Sequence, residues 1–268
     1  IKFIYEEDYR YKFNTNNSDN RVILNSEQEV CVNKVVNSFG ISKTFLLYGV
    51  TGSGKTELVK YLASHTKENE KIITIEDTLE LHLDKIFPHR DIVAMKTNNI
   101  ASYSDVLVTC MRQNPRWILL SEVRSAEAVT AVRNSISSGH NIISTIHSDR
   151  ALNIPMRLYS LLENSQDIDQ FLKSIHRYVQ LGVHVKGYMS KELGRFQREI
   201  IEVVEFYVDE NNEAKSNIIF KKSLDGKFSF NNPSKYLIDY LGVQGVTLKE
   251  DYFVKSKKDN TNESIESL

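Results

Sequence analysis

The chain of 268 residues carries 34 Lys and Arg against 35 Asp and Glu, a formal net charge of -1, with 41% hydrophobic and 26% charged residues. That size and balance suit one large or two small globular domains with a sizeable core, and the near-neutral charge supplies no global basic field for nucleic acid. The two cysteines, Cys31 and Cys110, are too few for a four-thiolate zinc site and fall in apolar helical patterns, so buried thiols in a reducing compartment are expected. No apolar run approaches the roughly 18 residues of a membrane span, and no signal peptide is visible.

In chain order, residues 1–24 are polar and Asn-rich and read as a linker or the remnant of a preceding domain. Asn25 and Gln28 have capping-box spacing, and Val32, Val35, Val36 and Phe39 give the following helix one apolar face, closed by Gly40. Thr44–Tyr48 is a continuous apolar run, read as a buried strand. It leads into Gly49-Val50-Thr51-Gly52-Ser53-Gly54-Lys55-Thr56 and then a helical segment from Glu57 to His65.

This stretch fits the phosphate-binding loop pattern at every fixed position, and it has the strand-loop-helix context that makes the match specific. Glycines let backbone N–H groups of Gly49, Thr51, Gly52, Ser53 and Gly54 turn inward around a phosphate chain. The positive end of the helix, through Lys55, Thr56 and Glu57, adds to the attraction. Lys55 is expected on the β- and γ-phosphates of ATP and the Thr56 hydroxyl on Mg2+.

Downstream, Lys71–Ile75 reads as a strand that delivers Glu76, Asp77 and Glu80, and Asp91–Met95 as a third strand. Ser104–Arg112 is a predicted helix with Ser104 or Asp105 near its cap and Pro115 beyond its end. Trp117–Leu120 is a further apolar strand ending at Ser121-Glu122, Ala126–Ser137 a helix, and Asn141–Ile146 a strand ending at His147. Helices are expected over Leu152–Leu162 and Asp167–His176, antiparallel strands over Tyr178–Val185 and Glu199–Tyr207, and a short strand at Ile218–Phe220. Alternating strands and helices imply an α/β fold with a mostly parallel sheet covered by helices. Ligands on such sheets sit at the carboxyl ends of strands, where Gly49, Glu76, Glu122 and His147 all fall. The expected boundaries are an ATPase domain over 25–208, an antiparallel C-terminal extension over 209–254 and a disordered tail over 255–268.

Hydrolysis of a phosphoanhydride needs positioned phosphates, a metal and an oriented water. Glu122, at a strand end, is placed to hold a magnesium-bound water or to polarise the attacking one, and His147 to donate to a γ-phosphate and change partner on hydrolysis. Arg124 is expected to pair with the acidic cluster.

Four segments resemble one family in order and spacing: Gly49–Thr56, an aspartate box at Thr74–Leu81, a Walker B segment at Ile118–Arg124 followed by Glu127-Ala128, and a histidine box at Ser138–His140 and Ser144–His147. They are similar to the traffic ATPases, the hexameric motors of type IV secretion, type II secretion and type IV or tight-adherence pili. The resemblance runs from about residue 43 to about residue 207. It implies a RecA-like P-loop core, Glu76 as a second residue orienting water, and Asp77 on the magnesium side. It also implies a homohexamer, in the cytoplasm and peripheral at the inner face of the membrane, working with secretion or pilus machinery and without direct nucleic-acid binding. Ser121 stands where the family usually has a small residue, most often Gly. The cysteine-rich insertion of the type II branch is absent, which favours the type IV secretion or tight-adherence branch. The family's N-terminal domain, which normally supplies arginines to the nucleotide, is expected to be largely missing, with Arg10 and Arg21 as candidate remnants of that role.

Two other readings are open to the sequence. Leu24–Gln28 followed by the phosphate loop resembles the opening of a DNA helicase, although the Asp-Glu-x-His motif and a second RecA-like domain are missing. A nucleotide-gated assembly scaffold with little turnover needs only the phosphate loop.

Overall fold

The computed structural model describes residues 54–97, 101–162, 167–190, 194–223, 226–243 and 245–248, together with the backbone of 44–48. The predicted helix after Asn25, Cys31, Arg10, Arg21, the 1–24 segment, the first five residues of the phosphate-loop motif and the 255–268 tail lie outside the described residues.

A nine-stranded sheet organises the molecule, in the order β3-β2-β4-β5-β1-β6-β7-β8-β9. The strands are β1 (Thr44–Tyr48), β2 (Ile72–Glu76), β3 (Ile92–Lys96), β4 (Trp117–Val123), β5 (Asn141–Ile146), β6 (Leu181–Ser190), β7 (Arg195–Val208), β8 (Ala214–Lys222) and β9 (Phe228–Phe230). All pairings from β3 across to β6 are parallel, and β6 to β9 are antiparallel. β6 therefore belongs to both halves, and the C-terminal strands continue the same sheet.

Helices cover both faces. Ile73, Ile75, Ile118, Leu120, Ile142 and Ile146 point to one face, toward α3 (Tyr103–Met111), α4 (Ala126–Ser137), α5 (Ile154–Ser160) and α6 (Ile168–Tyr178). Ile72, Trp117, Leu119 and Ile143 point to the other, under α1 (Lys55–Ser64) and the short α2 (Leu83–Ile86). A last helix, α7 (Lys235–Val243), lies on the antiparallel half. Strands buried on both faces read as unbroken apolar runs, which is why β2, β4 and β5 were plain in the sequence. At Gly182 a Cβ would stand 2.8 Å from Ile154 Cδ1 and 2.9 Å from Phe206 Cε2, so the absent side chain lets β6 approach the segment after β5.

Several expected boundaries shift. The cap of α3 is Ser102, whose hydroxyl accepts from Asp105 N at 3.2 Å while Asp105 Oδ2 accepts from Ser102 N at 3.2 Å, a reciprocal box that starts the helix ahead of Ser104. Tyr178 ends α6, and the strand begins at Leu181. β6 and β7 run to Ser190 and from Arg195, well past the expected Val185 and Glu199, because a polar hairpin tip pairs through backbone rather than through an apolar pattern. β8 covers Ala214–Lys222 rather than three residues.

Candidate active site

Side-chain direction alternates along a strand, and alternation alone would turn Glu122 to the same face as Ile118 and Leu120. A register shift between Leu120 and Val123 changes the parity, and Val123 instead joins Ile118 and Leu120 in the core of that face. Glu122 is thereby turned to the α1 side. Thr145 Oγ1 donates to Ser121 O at 2.5 Å and pins the irregularity from the neighbouring strand. His147, which follows β5, continues the parity of Ile143 to the same side.

Lys55 occupies the first turn of α1, nine-tenths buried, after Gly54 at φ 97°, a left-handed conformation that glycine takes without strain. Its Nζ lies 3.4 Å from His147 Nδ1, and His147 Nε2 lies 3.0 Å from Glu122 Oε1. Burial holds the Lys55 ammonium below its ordinary pKa, and Glu122 acts in the opposite sense. Arg124 ion-pairs with Asp77 and sits 3.8 Å from Glu122 Oε2. Lys55, His147, Glu122, Arg124 and Asp77 thus form one connected chain of polar side chains at the strand tips.

Glu76 stands at the same end but in a different environment. Its side chain is fully buried, with Thr74 Oγ1 donating to Oε1 at 3.0 Å and the N–H groups of Glu80 and Leu81 donating to Oε2 at 2.8 and 3.0 Å. Oε2 holds the 77–81 segment over the end of β2 while Oε1 is taken by the Thr74 hydroxyl, so this carboxylate is committed to those donors rather than to the Lys55–His147–Glu122 chain. Thr56 follows Lys55 in the first turn of α1, and Glu57 Oε1 accepts from Lys60 Nζ at 3.1 Å. Gly49, Thr51, Gly52 and Ser53 lie outside the described residues.

The donor set suits a metal that arrives with a phosphate chain. Magnesium is usually held by one or two carboxylates, waters and phosphate oxygens, and Thr56, Glu122 and Asp77 offer that much. Among the described residues no three His, Cys, Asp or Glu side chains cluster into a ready-made cage.

Contacts that the motifs do not announce complete the site. Arg157 Nε, from α5, donates to His147 O at 2.9 Å. Glu202 of β7, almost fully buried, accepts from Arg150 Nη2 at 2.6 Å and from Ala151 N at 2.9 Å, fastening the loop after His147 to the antiparallel half. Ser121 Oγ donates to Asp77 Oδ1 at 3.5 Å, a contact that a glycine at this place would lack. A cleft of about 550 Å³ opens beside Asp77, lined also by Lys96, Thr97, Ser102, Tyr103 and Glu127. A second, of about 710 Å³, opens beside His147, Asp149, Met156 and Arg157. Cys110 is buried, its thiol pushed up to about 12 by desolvation, which leaves it inert.

A protein-family profile described as type II/IV secretion system protein matches residues 18–214. An uncharacterized protein of Bacillus anthracis is 32% identical over 194 residues, 69% of this chain and 43% of that protein. The type IV secretion system protein VirB11 of Bartonella quintana is 38% identical over 131 residues, 46% of this chain and 35% of that protein. The crystal structure of the VirB11 ATPase from the Brucella suis type IV secretion system superposes with a TM-score of 0.55 at 26% identity, covering 71% of this chain and 59% of that one. The chain therefore spans less than half the length of the two curated relatives.

Proposed function

We propose, on the premise that this chain belongs to the type II/IV secretion system protein family, that it is the catalytic core of an ATP-hydrolysing motor that powers secretion or pilus assembly. The observation that carries this reading is the connected run Lys55–His147–Glu122, with separations of 3.4 and 3.0 Å, beside the helix end that follows the phosphate loop. A buried ammonium against a histidine marks a place prepared for anionic phosphate: the γ-phosphate inserts between Lys55 and His147 and takes both as donors. Glu122 then accepts the proton of the attacking water, and His147 re-forms its contact with Glu122 when phosphate leaves. Thr56 and Glu122 are the residues that would hold Mg2+, Glu122 through water, and the ion supplies charge neutralisation at the phosphate oxygens. Asp77 and Arg124 form the pair that keeps the acidic segment beside Glu122. The buried Glu76 acts by shaping the 77–81 segment.

The working assembly is a homohexamer, cytoplasmic and peripheral at the inner face of the membrane through secretion or pilus proteins. No described helix is long and apolar enough to cross a bilayer. Glu122→Gln is the decisive variant. It is expected to bind ATP as the parent does and to lose turnover by a factor of roughly 10²–10⁴, the usual range for removing a general base. Unchanged turnover in a steady-state phosphate-release assay would remove Glu122 from the mechanism.

A further inference from the structure

The antiparallel half reaches Gly54, the last glycine of the phosphate-loop motif. A Cβ built on Gly54 would collide with Arg198 Cδ and stand 3.0 Å from Arg198 Nε. The residue that must turn left-handed to open α1 is thus also the residue against which a β7 side chain lies. Strand parity accounts for the arrangement. Val185 and Ile200, paired across the hairpin, belong to the core beneath α1. Two residues further along each strand, Gly187 faces Arg198, and two further still, Met189 faces Phe196. All six therefore lie on the α1 side of the sheet. Gly187 places no side chain across from Arg198. The row runs from buried core at Ile200, through Arg198, to exposed Phe196 and Met189, which are 45% and 64% accessible. The Arg198 guanidinium lies 5.2 Å from the Phe196 ring centroid, a cation–π contact that steers it along this face.

We infer that Arg198 is a nucleotide-binding residue that acts in cis, closing its guanidinium over the phosphate chain held by its own subunit's loop. This inference rests on the ATP reading above and adds a residue outside the family's four motifs. Gly54 is the last glycine of the phosphate-loop motif and precedes Lys55, so a side chain packed against it is beside the cation expected on the phosphates. Lys55 approaches from α1 and Arg198 from β7, and the planar guanidinium is a second cation whose fork suits two phosphate oxygens. Phe196 orients that cation, and Glu199, the neighbour on the other face, is paired with Lys222 and leaves the α1 side free of carboxylate from that position.

The test is a fluorescence titration of the 268-residue chain with N-methylanthraniloyl ADP and ATP, competed with unlabelled AMP, for the parent, Arg198→Ala, Arg198→Lys, Phe196→Ala and Lys55→Met. Arg198→Ala is expected to weaken ADP and ATP roughly 10- to 100-fold, the range for losing a charge-assisted hydrogen bond to phosphate. AMP competition should change less than about 3-fold, and the ligand-free Tm should stay where it was. Arg198→Lys should recover part of the loss, and Phe196→Ala should show a smaller loss of the same kind. Parent-like binding of ADP and ATP by Arg198→Ala overturns the inference, as does an equal loss for AMP accompanied by a lowered Tm. A parent chain that binds neither nucleotide, or a Lys55→Met variant that binds both unchanged, overturns the ATP reading itself.

Discussion

The parallel and antiparallel halves of the sheet differ in what they contribute. In the parallel half β2, β4 and β5 are buried on both faces, and their carboxyl ends carry Glu76, Glu122 and His147, with Lys55 on the helix after β1. From β6 to β9 the strands carry charge, and β6 and β7 reach exposed Met189 and Phe196. On the proposed function, the first half supplies the reacting groups. The second supplies the clasps: Glu202 on the loop after His147 and Arg198 on Gly54. The lesson is that a cluster of polar side chains at strand tips is held in shape from a region that has none of its motifs.

Substitutions separate the two contributions. The largest effect belongs to the parallel half: Lys55→Met should lower ATP turnover by at least about 10³-fold, since it removes the buried cation that meets the transferred phosphate. A phosphate-release assay checks this. In the antiparallel half, Glu202→Gln leaves Arg150 without its counter-charge and weakens two amide contacts. Breaking such pairs costs about 3–5 kcal/mol when both partners are buried. Arg150 is 41% exposed, so about 2 kcal/mol is the expected loss here, read as a fall in the urea midpoint. An undisturbed midpoint would mean the clasp holds nothing.

His184, on β6 between the halves, has its pKa pulled down to about 4, mainly by burial, with Glu202 opposing. Its folded pKa lies below its unfolded value of about 6.5, so the unfolded chain binds the extra proton first. Its contribution to stability is full above about pH 6.5 and is lost as pH falls toward 4. Thermal melts of the parent should lose stability through that window, and His184→Gln should flatten the slope there by about 2 kcal/mol in total, partial exposure considered. Parallel slopes for the two proteins would contradict it. The smallest effect is Ser102→Ala, which removes the α3 capping box and should cost about 1 kcal/mol, a Tm shift of about 2–4 °C, without touching nucleotide affinity.

Much of the parallel half was legible because doubly buried strands give unbroken apolar runs and α4 and β5 coincide with their expected bounds, Ala126–Ser137 and Asn141–Ile146. The grouping of Lys55, Glu122 and His147 was legible for the same reason, since each ends or follows such a run. What no pattern carried was the register shift at Ser121 that turns Glu122 toward α1, because a one-residue irregularity leaves composition unchanged. The environment of Glu76 was hidden too: a carboxylate that accepts two backbone N–H groups looks, in sequence, like one that faces water. Arg198 lay in a hairpin whose tip has no apolar signature, and its approach to Gly54 depends on β6 bridging parallel and antiparallel pairing.

The central claim is that one triphosphate is shared by Lys55, His147 and Glu122. A crystal structure of Glu122→Gln with ATP and Mg2+ tests it most directly. The account predicts the γ-phosphate lodged between Lys55 Nζ and His147, the 3.4 Å contact between them broken, and residue 122 beside the attacking water. ATP bound with that contact intact, and with His147 turned away from the phosphates, would contradict it.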